Sequence, residues 1–359
     1  MRRLLAACLA ALPLAGCIQL GPHQLQQDTV SYAQALGNAQ NQQTLLNVVR
    51  LRYADSPSFL QTTQIISSYQ LQQTLNAGLE AYPSAATSAG NYISGGLGGT
   101  FQQSPTFTLE PITGKNFAES FLRPFSPAEL IPFVGGGIPV DILFRLDVQS
   151  INGLQNSREL GGADGLGSPD FFLLLHDLRL LQIGGVLDGG QVETKPASGK
   201  SPAQTKTILA IEPTDDPDLA RVAAQTRALL GMKPNEQTAT VYYGTGKPPS
   251  GQIMLQTRPM LGILNQLAIQ VEVPEADVKA GLTTPTLGTI GIAKHPVVVV
   301  HSGDKAPKDA FVSVKYGATW FWIANDDFNS KVAFSIVQTL LSLAQTSATP
   351  GTILTIPTS

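Results

Sequence analysis

QIISSYQLQQTLNAGLE (residues 64–80) and NYISGGLGGTFQQSPTFTL (residues 91–109) decide how this chain is read. In the first stretch Ile65, Tyr69, Leu71, Leu75, Ala77 and Leu79, continued by Ala81, occupy odd positions. Gln64, Ser68, Gln70, Gln72, Thr74, Asn76 and Glu80 occupy even ones. The second stretch repeats the pattern. Ile93, Leu97, Phe101, Phe107 and Leu109 alternate with Ser94, Gly96, Gly98, Thr100, Gln102, Ser104, Thr106 and Thr108. A period of two belongs to a strand, whose side chains point to opposite faces in turn. Pro83 to Gly90, made of Pro, Ser, Ala, Thr and Gly, reads as the loop between them. The pattern predicts an antiparallel hairpin over residues 58–111. Arms of ~20 residues would reach about 65 Å at ~3.3 Å per residue.

Outside the hairpin the period changes. From Asp28 to Ala54, Ala35, Leu36, Ala39, Leu46, Val49 and Tyr53 recur at helical spacing, with Asp28 as N-cap and Ser56-Pro57 as the stop. Residues 18–25 read as a tether, so residues 17–57 form a tether and N-terminal helix. Residues 112–185 read as a helical region. Ser126-Pro127-Ala128-Glu129 is a capping box with proline at the first helical position, and Pro139 to Gln149 is a second helix. Ser168-Pro169-Asp170 opens a third that Gly184-Gly185 ends, its run Phe171 to Leu175 apolar all round and so buried. Residues 186–359 mix strands and helices. Strands are expected at 207–211, 238–243, 252–256, 296–301, 311–316, 320–323 and 352–356. Helices are expected from Asp216-Pro217, over 258–271 and over 329–346. The fold class is α+β: an N-terminal helix, a long charge-poor amphipathic hairpin, a helical segment and a mixed C-terminal region.

At the extreme N-terminus Arg2 and Arg3 precede the uncharged run Leu4 to Leu14, and Leu14-Ala15-Gly16-Cys17 closes it. A positive start, an apolar run and small residues at a cut site make a signal peptide. The segment resembles the lipobox signal of bacterial lipoproteins. The resemblance implies removal of residues 1–16, a diacylglycerol on Cys17 and an acylated new N-terminus. Ile18 stands where that class carries Asp for inner-membrane retention, which implies an outer-membrane, periplasm-facing location. Each buried methylene of the lipid adds about 0.8 kcal/mol, so anchoring would be stable. Cys8 would leave with the signal, and the mature chain would hold no free thiol.

Two readings explain the scarcity of charge around the hairpin, where Glu80 alone is charged from Ser56 to Leu109. Transmembrane strands alternate apolar with uncharged polar residues and cross in ~9–11 residues. A lone hairpin would leave its edges unpaired in lipid, so several copies would have to close a shared barrel. The segment is similar in pattern to the lipoprotein channel of curli export. The other reading is a sheet whose apolar face packs on the protein's own helices. Gly95, Gly96, Gly98, Gly99 and Pro105 in the second arm favour this one.

Chemistry is sparse. Removing Arg2 and Arg3 from the 23 basic residues leaves 21 against 26 acidic ones, which excludes a basic nucleic-acid face. His23, His176, His295 and His301 have no neighbours at zinc-ligand spacing, and His176 is expected as a core residue. Ser198-Gly199-Lys200-Ser201 imitates the end of a phosphate loop without its earlier glycine. No cofactor is expected beyond the lipid on Cys17. The candidate interaction residues are Arg50, Arg52 and Tyr53 at the end of the first helix, Trp320 and Trp322, which with Tyr316 would either pack in the core or form an aromatic platform for ring stacking, and Asp326 and Asp327 before the last helix. The arginines would compensate a helix C-terminus or pair with those aspartates; the aspartates suit a helix start.

The chain thus reads as a non-catalytic lipoprotein of the outer membrane, a structural or assembly component of an envelope complex. It would be held by its lipid and partnered by further copies or by another component of the complex. An oligomeric export channel built from the hairpin is one form of this. The reading from another class is a binder of, or enzyme on, cell-wall glycans, using the tryptophans and Asp326 or Asp327. Replacing Cys17→Ala tests the anchor. Acyl labelling should vanish and the protein should leave the membrane fraction; membrane retention in carbonate and high salt without acyl label would contradict it.

Overall fold

The computed structural model describes residues 20–80, 92–157, 167–195, 204–286, 296–345 and 354–357, with the backbone alone for residues 20–28, 62–80, 92–107 and 354–357. The signal segment with Cys17, the Ser198-Gly199-Lys200-Ser201 match and His295 lie outside the described residues. The fold is α+β.

Helix α1 (Leu20–Arg52) starts eight residues before Asp28. Pro22 is tolerated because amides of the first turn have no intrahelical partner. Asp28 is therefore an interior residue and not the cap, and residues 20–25 are helix and not tether. The C-terminal half is buried through Thr44, Leu45, Asn47, Val48 and Val49, and it packs on α7 and β10, defined below. The helix stops before Ser56-Pro57 because Ala54 takes a left-handed conformation, φ 59°. The Asp55 amide then donates to the Arg50 carbonyl at 2.8 Å and the Ala54 amide to Leu51 at 3.1 Å, the two bonds of a Schellman stop.

The hairpin is as the alternation predicts. Strands β1 (Leu60–Glu80) and β2 (Tyr92–Pro111) pair antiparallel from end to end. Beyond it come the short α2 (Gly114–Phe117) and a π-helical turn, Ala118–Leu122. Next are α3 (Pro127–Gly135) and α4 (Val140–Asp147). In the capping box of α3, Glu129 Oε2 accepts from the Ser126 amide at 2.6 Å and from its hydroxyl at 2.8 Å. Val148, read as helical, instead opens β3 (Val148–Ile151), followed by β4 (Leu154–Gln155). Helix α5 (Pro169–Ile183) is capped by Ser168, whose hydroxyl accepts from the Phe171 amide at 3.3 Å. Phe171, Phe172, Leu174 and Leu175 are buried as their run implies, but His176 is exposed and not in the core.

Strands β5 (Leu187–Lys195) and β6 (Gln204–Ile211) follow, then α6 (Pro217–Leu229), β7 (Thr238–Tyr243) and β8 (Gln252–Thr257). Helices α7 (Met260–Ala268) and α8 (Glu275–Lys279) precede β9 (His301–Gly303), β10 (Val312–Tyr316) and β11 (Thr319–Ile323). The expected strand at 296–301 is only this short β9. Helix α9 (Phe328–Gln345) and β12 (Leu354–Pro357) end the chain.

One sheet has the order β4-β3-β8-β7-β6-β5, and a second β10-β11-β9. The larger sheet draws strands from both sides of residue 185, so 112–185 and 186–359 are not separate domains. Its one parallel pair, β7 with β8, is joined by residues 244–251 without a helix. Four paired residues span only about 13 Å, so eight extended residues are long enough to return. The core holds Phe121, Phe144, Phe171, Phe321 and Phe334, all fully buried.

The chain divides into two compact units. One comprises residues 1–57 and 120–346, called the body below. The other comprises 58–119 and 347–359, and contains the hairpin with β12.

Ala54 carries the left-handed turn without the freedom of glycine. Ala54→Gly should stabilise the protein by about 0.5–1 kcal/mol, because the strain on an L-residue there exceeds the entropy that glycine adds to the unfolded chain. Urea unfolding of the two forms checks this; a loss of stability would contradict it.

Candidate functional site

The hairpin register places Leu71 opposite Phe101, Leu75 opposite Leu97 and Leu79 opposite Ile93. Facing positions in an antiparallel pair share a face, so the odd positions of both arms line one side. At the root the register slips between Thr62 and Gln64, leaving Thr63 as an extra residue. A bulge reverses parity, so Leu60 and Thr62 below it join the face of Ile65 above it. The sheet order is β1-β2-β12, with β12 meeting β2 only from Thr106 to Leu109. Among the described residues no third strand accompanies β2 from Tyr92 to Pro105, and none lies on the far side of β1 in this sheet. Long edges of this kind present amide and carbonyl groups to any strand that approaches.

In the body, the cluster at the end of α1 is assembled, but differently from expectation. Arg52 is buried and faces no carboxylate in its hydrogen bonds. It donates through Nε to the Val271 carbonyl at 3.3 Å and through Nη1 and Nη2 to Thr284 at 2.9 and 2.5 Å. Its own carbonyl accepts from the Thr283 hydroxyl at 2.6 Å. It ties α1 to the segment after α8, and burial lowers its pKa. Tyr53 donates to Asp277 at 2.6 Å and its ring lies 5.1 Å from that of Tyr316. Tyr316 in turn donates to Asp55. Burial, then the bond to Asp277, raises the Tyr53 pKa; the bond to Asp55 is the main cause for Tyr316, opposed by nearby Arg50.

The aromatic platform does not form. Trp320 and Trp322 share the outer face of the small sheet, opposite Lys315 and Ser313 in β10. Tyr316 is engaged with Tyr53 and falls on the other face, since strand side chains alternate. Trp322 lies 5.8 Å from the His301 ring, and His301 Nδ1 is 3.0 Å from Glu272. Trp320 lines a shallow groove of about 360 Å³ with Gln42, Gln43 and Lys315. Asp326 is exposed. Asp327 caps α9, accepting from the Ser330 amide at 3.0 Å and its hydroxyl at 2.5 Å. The pair does not converge on a common point, and neither residue meets Arg50 or Arg52 in a salt bridge among the described residues.

Sequence reasoning missed the most polar interior. Arg258, read as helical, lies before α7 and is 3% exposed, so its partners are all internal. Its Nη1 donates to the carbonyls of Leu146 at 3.1 Å and Val148 at 3.0 Å, and its Nη2 to that of Ser157. The Asn156 amide donates to Val148 at 2.6 Å and Arg145 at 3.0 Å. Beside them Asp147 is fully buried, and neither carboxylate oxygen has a hydrogen-bond partner. Burial raises its pKa well above the usual carboxylate range, against the pull of Arg258. The signal was present in the spacing: Asp147 lies four after Leu143 and seven after Val140, on the buried face of α4.

Among the described residues no group of His, Cys, Asp and Glu could hold a metal ion, and no helix is long and apolar enough to cross a membrane. No family model, no curated protein sequence and no solved structure matches the chain.

Asp147 is protonated in the folded protein at pH values where the unfolded chain has lost that proton. Its contribution therefore opposes folding increasingly as pH rises from about 4 toward the raised folded pKa. Asp147→Asn should be more stable than the wild type at neutral pH, with the difference shrinking as pH falls toward 4. Urea titrations at several pH values read this; a constant difference would contradict it.

Proposed function

We propose that this chain is a lipid-anchored, periplasm-facing component of a bacterial outer membrane, whose hairpin assembles edge to edge with those of other copies into an export channel. The observation that carries the reading is the hairpin itself. Two arms of twenty or more residues pair along their length, in one register from Gln64 to Glu80 above the bulge, with Glu80 as their one charge short of the root. Their long edges lack partner strands among the described residues. A water-exposed edge of this length would normally carry lysines, prolines or a cover to block strand addition. β2 carries Pro105 and is covered by β12 at its root, but from Tyr92 to Ser104 it holds no lysine or proline and no cover among the described residues, which suits a strand that is meant to be joined.

Joining also answers the demand of a membrane. In lipid every backbone polar group needs an internal partner, and only closure of the sheet provides it. Small barrels need about eight strands, which at two per copy means about four copies or more. The odd face, with Leu71, Leu75, Leu79, Leu97 and Phe101, would meet lipid, and the even face of Gln, Thr, Ser and Gly would line the lumen. The glycan reading draws less support. Trp320 lines a shallow groove without Trp322 or Tyr316, and Asp327 is occupied as a helix cap.

Leu75→Asp and Gln72→Asp separate the two faces. A carboxylate at position 75 meets an apolar surrounding and costs several kcal/mol. Leu75→Asp should abolish oligomers and bilayer conductance while the melting point of the single copy is unchanged, and Gln72→Asp should preserve both. If Leu75→Asp instead lowers the melting point of the single copy, the hairpin belongs to a soluble sheet. If the two variants behave alike, the faces assigned here are wrong.

A further inference from the structure

Residues Thr106 to Leu109 of β2 are paired on both sides, by β1 and by β12. Both neighbours run antiparallel to β2, so β12 runs in the same direction as β1. In a closed ring of hairpins, the strand beyond β2 is β1 of the next copy, also antiparallel to β2. The last strand of the chain therefore occupies the place, and takes the direction, of a neighbouring copy's β1.

The occupancy is limited by the sequence. β12 has four residues and ends at Pro357, opposite Thr106. The next residue of β2 toward the tip is Pro105. Proline offers no amide donor, and neighbouring residues of a strand aim their backbone groups at opposite sides, so one of these two prolines removes one bond from the end of the β2–β12 ladder. The 21 residues of β1 would form a far longer ladder on the same edge than the four of β12. No charge lies on β2 from Tyr92 to Leu109 or on β1 before Glu80, so edges of two copies approach without repulsion.

We propose that the outer edge of β2 is the docking site for β1 of a second copy, and that β12 holds the root of this edge closed until that strand displaces it. The inference rests on the assembly reading above and adds its interface and its control. Thr355 faces Thr108 in the register, so the double variant Thr108→Cys with Thr355→Cys can lock β12 in place by a disulfide. A stop after Ile353 removes β12 altogether.

Full-length lipidated protein in mild detergent is compared with both variants by native gel and particle mass across a concentration series. Tryptophan fluorescence, which reports Trp320 and Trp322 in the body, checks that each variant is folded. The oxidised lock should remain a single copy where the wild type assembles, and a reductant should restore assembly. The truncated chain should assemble at a concentration about tenfold lower, the change expected from ~1.4 kcal/mol less competition. If the wild type assembles and the locked form does so equally well, the inference falls while the assembly reading stands. The same holds if truncation leaves the concentration unchanged or raises it. If none of the three assembles, both fall together.

Discussion

The body is organised by the carbonyls at the end of α4. A helix leaves its last four carbonyls without intrahelical partners, and here the helix ends in the interior, where water does not reach them. The Arg258 guanidinium and the Asn156 amide answer several of these groups at once. The Arg258 amide also donates to the Asp147 carbonyl at 2.6 Å. The end of β8 is thereby fastened to the start of β3, which pairs with it in the sheet. From the same point Gln266 of α7 reaches the Ser157 hydroxyl at 2.8 Å. One buried cation thus holds two strands and places two helices. Its cost is Asp147, a carboxyl group whose pKa burial raises where no hydrogen bond reaches it.

The hairpin unit solves the opposite problem. Its two arms pair from root to tip apart from the bulge at Thr63, yet among the described residues its outer backbone groups are not answered by another strand over most of their length. On the proposed assembly, a second chain of the same sequence would provide strands of matching length and direction. Among the described residues, β12 is the strand of the chain that pairs on that edge.

Much of the architecture was legible because periodicity and caps carry it. The hairpin arms, the caps Ser126, Ser168 and Asp216, and the last helix all follow from local pattern. Errors fell where a local signal competed with a tertiary one. Val148 continues an apolar run of helical spacing, but pairing with Thr257 makes it a strand. Residues 187–195 carry Gly189 and Gly190, which hide a strand; Gly189 is needed because a Cβ there would meet Ile131 at 2.9 Å. Arg52 and Tyr53 were legible as interaction residues, but not their partners, which lie more than two hundred positions away in the chain. Tyr316 could not be assigned to the inner face until the turn between β10 and β11 fixed its register.

The most direct test of the central claim is the particle mass of the wild-type protein extracted from membranes in mild detergent. Assembly through the hairpin requires a discrete species several times heavier than the 38.0 kDa chain, at a whole-number multiple of the processed mass. A single species at the mass of one copy, at every concentration and in every detergent that keeps the body folded, would contradict it.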